Sequence, residues 1–253
     1  DYSSERGVAF ASTPYSREEV DFLIERCNVP FIKVASMELN NYPFLEYIAG
    51  TGAPIVLSTG MGEFKEIKMA VEAIENAGNR NICLLHCISI YPPELSTIRL
   101  KNISGLQNEF PEYPIGFSDH SIGTEMASAA VALGACLIEK HLTLDKTKIG
   151  MDNQMATEPA EMSQLVQNCH NVQIALGGEE RIVQEAELEQ RERIRRSVVS
   201  TKSLKAGTVI SIEDLDAKRP GTGIPPEEIY DLVGKTLKKD VEEDTMILPE
   251  DFI

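Results

Sequence analysis

Short, almost wholly apolar runs alternate with helical stretches from residue 8 to about residue 180. Six of these runs are predicted strands, at 8–13, 31–36, 54–59, 82–87, 114–119 and 136–142. Predicted helices lie at 17–27, 42–49, 64–77, 100–110, 124–133 and 159–176, and Ser16 precedes the first of them as a good N-cap. Continuous apolar strands are typical of a parallel sheet covered by helices, so the alternation predicts parallel βα units.

The number of these units bears on the fold class. A closed TIM (βα)8 barrel has eight βα units, and the pattern supplies six. We expect an α/β protein with a TIM barrel as residues 1–178, in which the first two units are missing. Those units would require roughly 60 residues before residue 1, at about 30 residues per unit. An open, doubly wound sheet is the alternative, although it would bring the strand ends together less closely.

The charge content and the hydrophobic pattern of the sequence change after Gly177 and Gly178. Residues 179–196 are highly charged and predict a solvated connecting helix. From residue 197 onward there are short β-like runs at 197–200, 207–210, 215–219 and 245–248, with short helices at 212–215 and 225–232. We therefore predict a linker at 179–196 and a small β-rich domain at 197–253, near the lower limit of domain size.

Composition excludes several classes of partner. The net charge of −16 argues against nucleic acid and anionic membranes, because both attract basic surfaces. No apolar run approaches the roughly 20 residues that a membrane-spanning helix needs. The five cysteines (27, 83, 87, 136 and 169) are expected to be free thiols, which indicates a reducing cytoplasm.

Polar side chains follow several of the predicted strands at the point where each strand ends. They belong to the runs Lys33-Val34-Ala35-Ser36-Met37-Glu38, Ser118-Asp119-His120 and Glu139-Lys140-His141. In a parallel barrel the carboxyl ends of the strands form the face that carries the active site. Two imidazoles, a lysine and a carboxylate are therefore expected to converge on one cavity.

Ordered motifs extend this pattern along the whole chain. They are Phe31-Ile32-Lys33-Val34-Ala35-Ser36 with Glu38 and Asn40-Asn41-Tyr42-Pro43, Leu57-Ser58-Thr59-Gly60-Met61, Leu84-Leu85-His86-Cys87 with Tyr91-Pro92, Gly116-Phe117-Ser118-Asp119-His120, Glu139-Lys140-His141-Leu142-Thr143-Leu144-Asp145, and Lys218-Arg219-Pro220-Gly221-Thr222-Gly223. With these motifs the chain resembles the sialic acid synthase family, whose barrel is followed by an antifreeze-like (SAF) domain. The resemblance implies condensation of phosphoenolpyruvate with N-acetylmannosamine or a related N-acyl amino-hexose, with release of phosphate.

The resemblance also implies roles for individual residues. His120 and His141 would hold Mn2+, or another divalent ion such as Mg2+ or Co2+, and two imidazoles with oxygen ligands suit such ions. The residues implied to bind phosphoenolpyruvate are Thr13, Lys33, Ser36, Ser58, Ser89 and Ser118. Those implied to contact the sugar are Glu38, which would also be catalytic, Tyr91 and Asp152.

The second domain has an implied role as well. The resemblance implies a domain-swapped homodimer, in which Arg219 reaches the partner's active site and contacts the N-acyl group of the sugar. Two other functions stay open. One is an inactive, truncated relative that binds sugar or dimerises, since the family's acidic residue near the first barrel strand, which assists the water step, is absent here. The other is a different phosphoenolpyruvate-dependent sugar acid synthase, against which the Lys218-Arg219-Pro220-Gly221 motif argues.

Overall fold

A parallel sheet organises the first part of the chain. In the computed structural model, which describes residues 2–253, its strands follow one another in the order β1-β2-β3-β4-β5. Their bounds are β1 Ile32–Val34, β2 Ile55–Ser58, β3 Ile82–Cys87, β4 Ile115–Asp119 and β5 Ile138–Lys140. Each strand pairs in parallel with the next, as Ile32 does with Ile55 and Leu84 with Ile115.

This strand order decides between the two predicted architectures. A doubly wound sheet reverses its strand order at a switch point, whereas every strand here lies beside its neighbour in sequence. A sheet that grows in one direction with a helix after each strand is the arrangement of a TIM barrel. The protein is therefore of the α/β class, and the described residues form a five-stranded part of a barrel of this type.

Helices connect the strands and cover one face of the sheet. The helices of the first unit are α1 Tyr2–Glu5, α2 Arg17–Phe22, α3 Tyr42–Gly50, α4 Phe64–Asn76, α5 Leu95–Ile98, α6 Asn102–Glu109, α7 Glu125–Ala132 and α8 Pro159–Leu176, and α9 Glu185–Ile194 follows in the second unit. Ser16 caps α2, since its Oγ accepts a hydrogen bond from the Glu19 amide at 3.2 Å. The predicted helix 17–27 continues beyond α2 as a π-helical turn over Leu23–Cys27. Across residues 2–253, no helix combines the length and the apolar character that a bilayer crossing requires.

The first predicted strand, 8–13, is wrong. Its apolar side chains are largely exposed, with Val8 at 61% and Phe10 at 51%. Within the described chain it makes one backbone hydrogen bond to β1, from the Lys33 amide to the Ser12 carbonyl oxygen at 3.3 Å. An apolar run becomes a strand only where a ladder of such bonds forms.

Alternate strand residues separate the core from the polar face. Ile32, Val34, Ile55 and Leu57 point toward the helices and pack in one apolar cluster with residues of α3, α4 and α6. Because successive strand side chains face opposite ways, the residues between them point to the other face of the sheet. Lys33 lies between Ile32 and Val34 and is one of these.

The chain divides into two compact units between Gly177 and Gly178, and α9 belongs to the second unit. That unit contains an antiparallel pair, β6 Ser197–Ser200 and β7 Leu215–Lys218. The strands predicted at 207–210 and 245–248 are wrong, because each is reduced to one isolated bridge, Val209 to Thr236 and Met246 to Val199. Short 3-10 turns lie at Ile212–Asp214, Pro226–Leu232 and Pro249–Asp251.

Candidate functional site

Polar residues collect on the face of the sheet that the helices do not cover. Lys33, Ser58, Cys87, Ser118 and Glu139 come from β1 to β5 in turn. Lys33, Ser58, Ser118 and Glu139 each follow a residue that packs in or against the core cluster, and Cys87 follows the buried His86, so alternation sets the direction of all five side chains. Five strands thus supply one polar side chain each to one surface.

Lys33 and Glu139 lie at the centre of this group. The Lys33 ammonium donates a hydrogen bond to Ser58 Oγ at 2.9 Å and lies 3.3 Å from a carboxylate oxygen of Glu139. The other Glu139 oxygen accepts a hydrogen bond from Ser118 Oγ at 2.6 Å. Ser58 and Ser118 are buried and the Lys33 side chain is 11% exposed, so this cation is held in a largely water-free site. The structure therefore brings together Lys33, Ser58 and Ser118, which sequence reasoning selected.

Glu139 is a member of this group that sequence reasoning left without a role. It stands next to Lys140 at the end of a strand, and the pattern alone does not reveal which of two neighbours faces the cavity. The alternation of side chains along β5 could have identified it. Ile138 packs against the core, so the next residue, Glu139, must face the opposite side of the sheet.

Two imidazoles lie beside the group. The ring centroids of His120 and His141 are 5.3 Å apart, and the Tyr91 ring lies 4.2 Å from that of His120. The Nδ1 atom of His120 donates a hydrogen bond to the Ile88 carbonyl oxygen at 2.9 Å. In the neutral tautomer Nε2 is unprotonated; it lies 3.5 Å from Ser118 Oγ and faces the Cys87 thiol. Asp152 reaches within 3.7 Å of His141 Nδ1.

Protonation of the two imidazoles is set by their surroundings. Burial alone lowers the pKa of His120, yet hydrogen bonds with Cys87 and the Ile88 carbonyl raise that pKa above its ordinary value. Burial and the neighbouring His120 lower the pKa of His141. Two basic rings this close repel each other when both are protonated, so at least one stays neutral near pH 7 and can bind an ion.

These residues fit a divalent ion that keeps open positions. No group of three or more His, Cys, Asp or Glu side chains in residues 2–253 is arranged to hold a metal ion. An ion held by His120 and His141 would keep coordination positions for water or substrate, as catalytic metal sites do. The lowered pKa of His141 supports this fit, because it keeps that ring neutral and able to bind an ion.

A second corner of the cavity contains Ser36, Ser89 and Cys87. Ser36 Oγ accepts a hydrogen bond from the Gly60 amide at 3.0 Å, and the Cys87 sulfur lies 3.6 Å from Ser36 Oγ and 3.9 Å from Ser89 Oγ. Burial raises the pKa of Cys87, but hydrogen bonds with His120 and Ser36 outweigh it and lower the pKa below its ordinary value. The corner requires glycine at residue 60, because a Cβ atom there would lie 2.7 Å from Ser36 Oγ.

Four predicted site residues lie outside these contacts. Glu38 is on the turn Ser36–Glu38, and its carboxylate accepts a hydrogen bond from the Asn41 amide group at 2.7 Å. Thr13 is half-buried in the segment beside β1, and Asp152 reaches the site only through His141. Arg219 follows β7 in the second unit, where it is exposed.

A buried ion pair lies between the residues that directly precede the two histidines in the sequence. Lys140 donates to an Asp119 oxygen at 2.8 Å, and their side chains are 2% and 0% exposed. The other Asp119 oxygen accepts bonds from the Ser121 amide at 2.8 Å and from Ser121 Oγ at 2.6 Å. Since His120 follows Asp119 and His141 follows Lys140, this pair ties together the ends of β4 and β5 and so positions both imidazoles.

Comparison with known proteins identifies matches in both units. A family model described as the NeuB family matches residues 1–181, and one described as the SAF domain matches residues 195–253. The chain is 38% identical over 248 residues to the N,N'-diacetyllegionaminic acid synthase of Legionella pneumophila. This alignment covers 96% of this chain and 69% of that protein. It is 39% identical over 250 residues to the N-acetylneuraminate-9-phosphate synthase of Homo sapiens. That alignment covers 98% of this chain and 69% of the human protein.

Solved structures agree with these matches. The crystal structure of a spore coat polysaccharide biosynthesis protein from Bacillus subtilis superposes with a TM-score of 0.67 and 32% sequence identity. The superposition covers 100% of this chain and 75% of that protein.

Proposed function

This chain belongs to the NeuB family, and we propose that it condenses phosphoenolpyruvate with an N-acyl amino-hexose to give a nonulosonic acid and inorganic phosphate. The observation that carries the proposal is the network of Lys33, Ser58, Ser118 and Glu139 directly beside His120 and His141. It combines an anion-binding group with a pair of imidazoles at the strand ends where barrel enzymes carry their sites.

Phosphoenolpyruvate would bind at the lysine. Lys33 offers a fixed positive charge, and the hydroxyl groups of Ser58 and Ser118 offer hydrogen bonds in a buried setting, where charge-assisted bonds are strong. Ser36 and Ser89 add two further hydroxyls at the neighbouring corner. The Glu139 carboxylate forms an ion pair with Lys33, and an incoming anion would compete with it for the ammonium group.

The sugar aldehyde would bind at the histidines. His120 and His141 would hold a divalent ion, Mn2+ being our proposal, and the bound ion supplies Lewis acidity toward the aldehyde oxygen. The Ile88 carbonyl holds the Nδ1–H of His120, so Nε2 is the nitrogen that would bind the ion in place of its hydrogen bond with Cys87. Asp152 lies beside His141 and the Tyr91 ring lies beside His120, so we assign the carboxylate and the phenol to the sugar hydroxyls.

The bond changes follow from this placement. C3 of phosphoenolpyruvate attacks the aldehyde carbon, and the C2 centre, now electron-poor, takes up water. The tetrahedral centre then loses phosphate by cleavage of the C–O bond. Glu139 lies within hydrogen-bonding distance of Ser118 and close to Lys33, so it is the carboxylate we assign to hold or move a proton near the phosphate.

The second unit would complete the site in a homodimer. Arg219 is exposed and makes no ion pair within residues 2–253, whereas the adjacent Lys218 is bound to Asp244 at 2.5 Å. We propose that Arg219 contacts the N-acyl group of a sugar bound to the partner protein in a domain-swapped dimer.

Phosphate release from phosphoenolpyruvate tests the proposed function. The chain is freed of metal by a chelator and then assayed with Mn2+, phosphoenolpyruvate and either N-acetylmannosamine or a 2,4-diacetamido-trideoxyhexose. We expect release only when all three components are present, and we expect the sugar that supports it to identify the subclass.

Two histidine variants separate the site from the rest of the fold. His120→Ala should abolish phosphate release, while His170→Ala on α8 should leave it unchanged. Release that continues without a sugar, or that survives in His120→Ala, would contradict the proposal. So would the absence of release with every sugar of the panel.

A further inference from the structure

Two cysteine sulfurs lie together at the end of the sheet opposite the site. The sulfur atoms of Cys83 and Cys136 are 4.0 Å apart. Cys83 is the second residue of β3, and Cys136 lies two residues before β5, so both are near the amino ends of their strands. Cys83 is half-buried and Cys136 is exposed, so solvent can reach the pair. Neither thiol contacts the lysine or histidine groups described above.

The backbone disfavours a disulfide between them. Strand β4 lies between the two cysteines, because the Cys136 amide bonds to the Ile115 carbonyl at 2.9 Å and the Leu84 amide bonds to the Pro114 carbonyl at 3.0 Å. Two strand spacings amount to about 9.6 Å in a flat sheet, and curling over only two spacings shortens this backbone separation little. Cysteines with Cα atoms more than about 7 Å apart cannot form a disulfide without backbone movement.

The same geometry suits a shared metal ion. A zinc–sulfur bond is about 2.3 Å long, so two such bonds can span sulfur atoms up to about 4.6 Å apart. The observed separation of 4.0 Å lies inside that limit and leaves the strands in place. We propose that Cys83 and Cys136 form a dithiol site for one soft, thiophilic cation such as Zn2+, Cd2+ or Cu(I).

Charge and ligand type make this site selective. The hydrogen bond with Cys83 lowers the pKa of Cys136 to about 7, so a thiolate is available near neutral pH, and the same contact raises the pKa of Cys83. A divalent ion that binds both sulfurs releases the proton of Cys83, and water completes its coordination. Thiolates select soft ions, whereas Mn2+ and Mg2+ prefer oxygen ligands, so this site differs from the imidazole pair.

Cadmium alone is the probe for this site, because cadmium–thiolate bonds give a charge-transfer absorption band in the ultraviolet. The reduced, metal-free chain should develop the band with one equivalent of Cd2+, and Mn2+ should not displace the ion. Cys83→Ser and Cys136→Ser should each weaken cadmium binding by about tenfold or more, since even outer partners of metal ligands contribute that much. Cys169→Ser is the matched control on α8, and Cys87→Ser tests whether the thiol near His120 contributes; both should keep the band.

A second measurement needs no variant and so does not depend on how a variant folds. Bound Cd2+ should slow alkylation of Cys83 and Cys136 by iodoacetamide, as read by peptide mapping, and should leave Cys169 unaffected. Unchanged alkylation of both residues in the presence of cadmium would overturn the proposal. Cadmium binding of wild-type strength in Cys83→Ser or Cys136→Ser, or loss of the band in Cys87→Ser, would overturn it too.

Discussion

The Lys33 ammonium and the Glu139 carboxylate lie 3.3 Å apart although they belong to β1 and β5, the first and last strands of the sheet. In a flat sheet, four strand spacings would separate these strands by about 19 Å. The contact therefore requires a strongly curled sheet whose polar face is concave. Curvature brings a cation and a carboxylate from opposite edges into one site.

Lys33 and Glu139 are predicted to have opposite effects on anion binding. Lys33→Met removes the charge-assisted bond to phosphate or carboxylate, which contributes about 1.5–3 kcal/mol, so phosphoenolpyruvate affinity should fall roughly 10- to 100-fold. Glu139→Gln is expected to keep or strengthen that affinity, because the lysine loses its competing partner. It should nevertheless reduce turnover if Glu139 handles a proton.

Calorimetric titration with phosphoenolpyruvate, together with the phosphate-release assay, measures both effects. Lys65→Met, at an exposed position of α4, is the control for a lost lysine. Affinity that is unchanged in Lys33→Met, or that drops in Glu139→Gln as far as in Lys33→Met, would show that the ammonium is not the anion-binding group.

Gly60→Ala is predicted to damage substrate binding while preserving the fold. The added methyl group would lie 2.7 Å from Ser36 Oγ and would also clash with Ser89 Oγ, so both hydroxyls must rotate. Rotation of Ser36 breaks its bond with the Gly60 amide and removes two hydroxyls from the phosphoenolpyruvate corner. We expect a KM for phosphoenolpyruvate raised by about tenfold, the equivalent of one lost hydrogen bond of about 1.4 kcal/mol. Gly50→Ala, at the last residue of α3, where an added Cβ atom would meet nothing within 4 Å and φ is not positive, is the control for glycine replacement, and an equal rise in its KM would refute this explanation.

Apolar periodicity predicted most of the strands and the strand ends at which the site lies, whereas the roles of individual residues came from the resemblance to the sialic acid synthase family. The bounds of α8, 159–176, were predicted correctly, and so were the positions of β1 to β5 within a few residues. The segment 8–13 was not, because apolar content does not reveal whether a partner strand completes the ladder. The contact between Glu139 and Lys33 could not be predicted from the apolar pattern either. It depends on the curvature of the sheet and on which residues of the three-residue strand β5 face the cavity.

The buried pair of Lys140 and Asp119 is predicted to be essential for the stability of the first unit. Lys140→Met leaves a fully buried carboxylate without its cation, and breaking such a pair costs about 3–5 kcal/mol. Urea unfolding followed by far-ultraviolet circular dichroism reports mainly on this unit, which contains most of the helices. Lys146→Met breaks a more exposed pair with Glu161 and should cost less than about 1 kcal/mol. Equal losses in the two variants would mean that burial of the Asp119 pair adds nothing.

Asp214 is predicted to make the stability of the second unit depend on acid. Lys202 at 2.7 Å and the amide and hydroxyl of Ser211 lower the pKa of this buried carboxyl to about 2, from an ordinary value of 3.8. The folded pKa is lower than the unfolded one, so the stabilisation is complete above about pH 4 and is lost as the pH falls toward 2. We expect about 1–2 kcal/mol, since Lys202 is mostly exposed and water screens the pair.

Asp214→Asn should therefore be less stable than the parent chain at pH 6, and the gap should begin to close below pH 4. The chain has no tryptophan, so urea unfolding of this unit is best followed by the methyl NMR signals of Val198, Leu215 and Ile247, which lie in its core. Asp231→Asn, at an exposed carboxylate, should show no gap at either pH. A gap for Asp214→Asn that stays constant from pH 6 to pH 3 would mean that the stabilisation does not depend on ionisation of this carboxylate, and that its pairing with Lys202 contributes nothing to it.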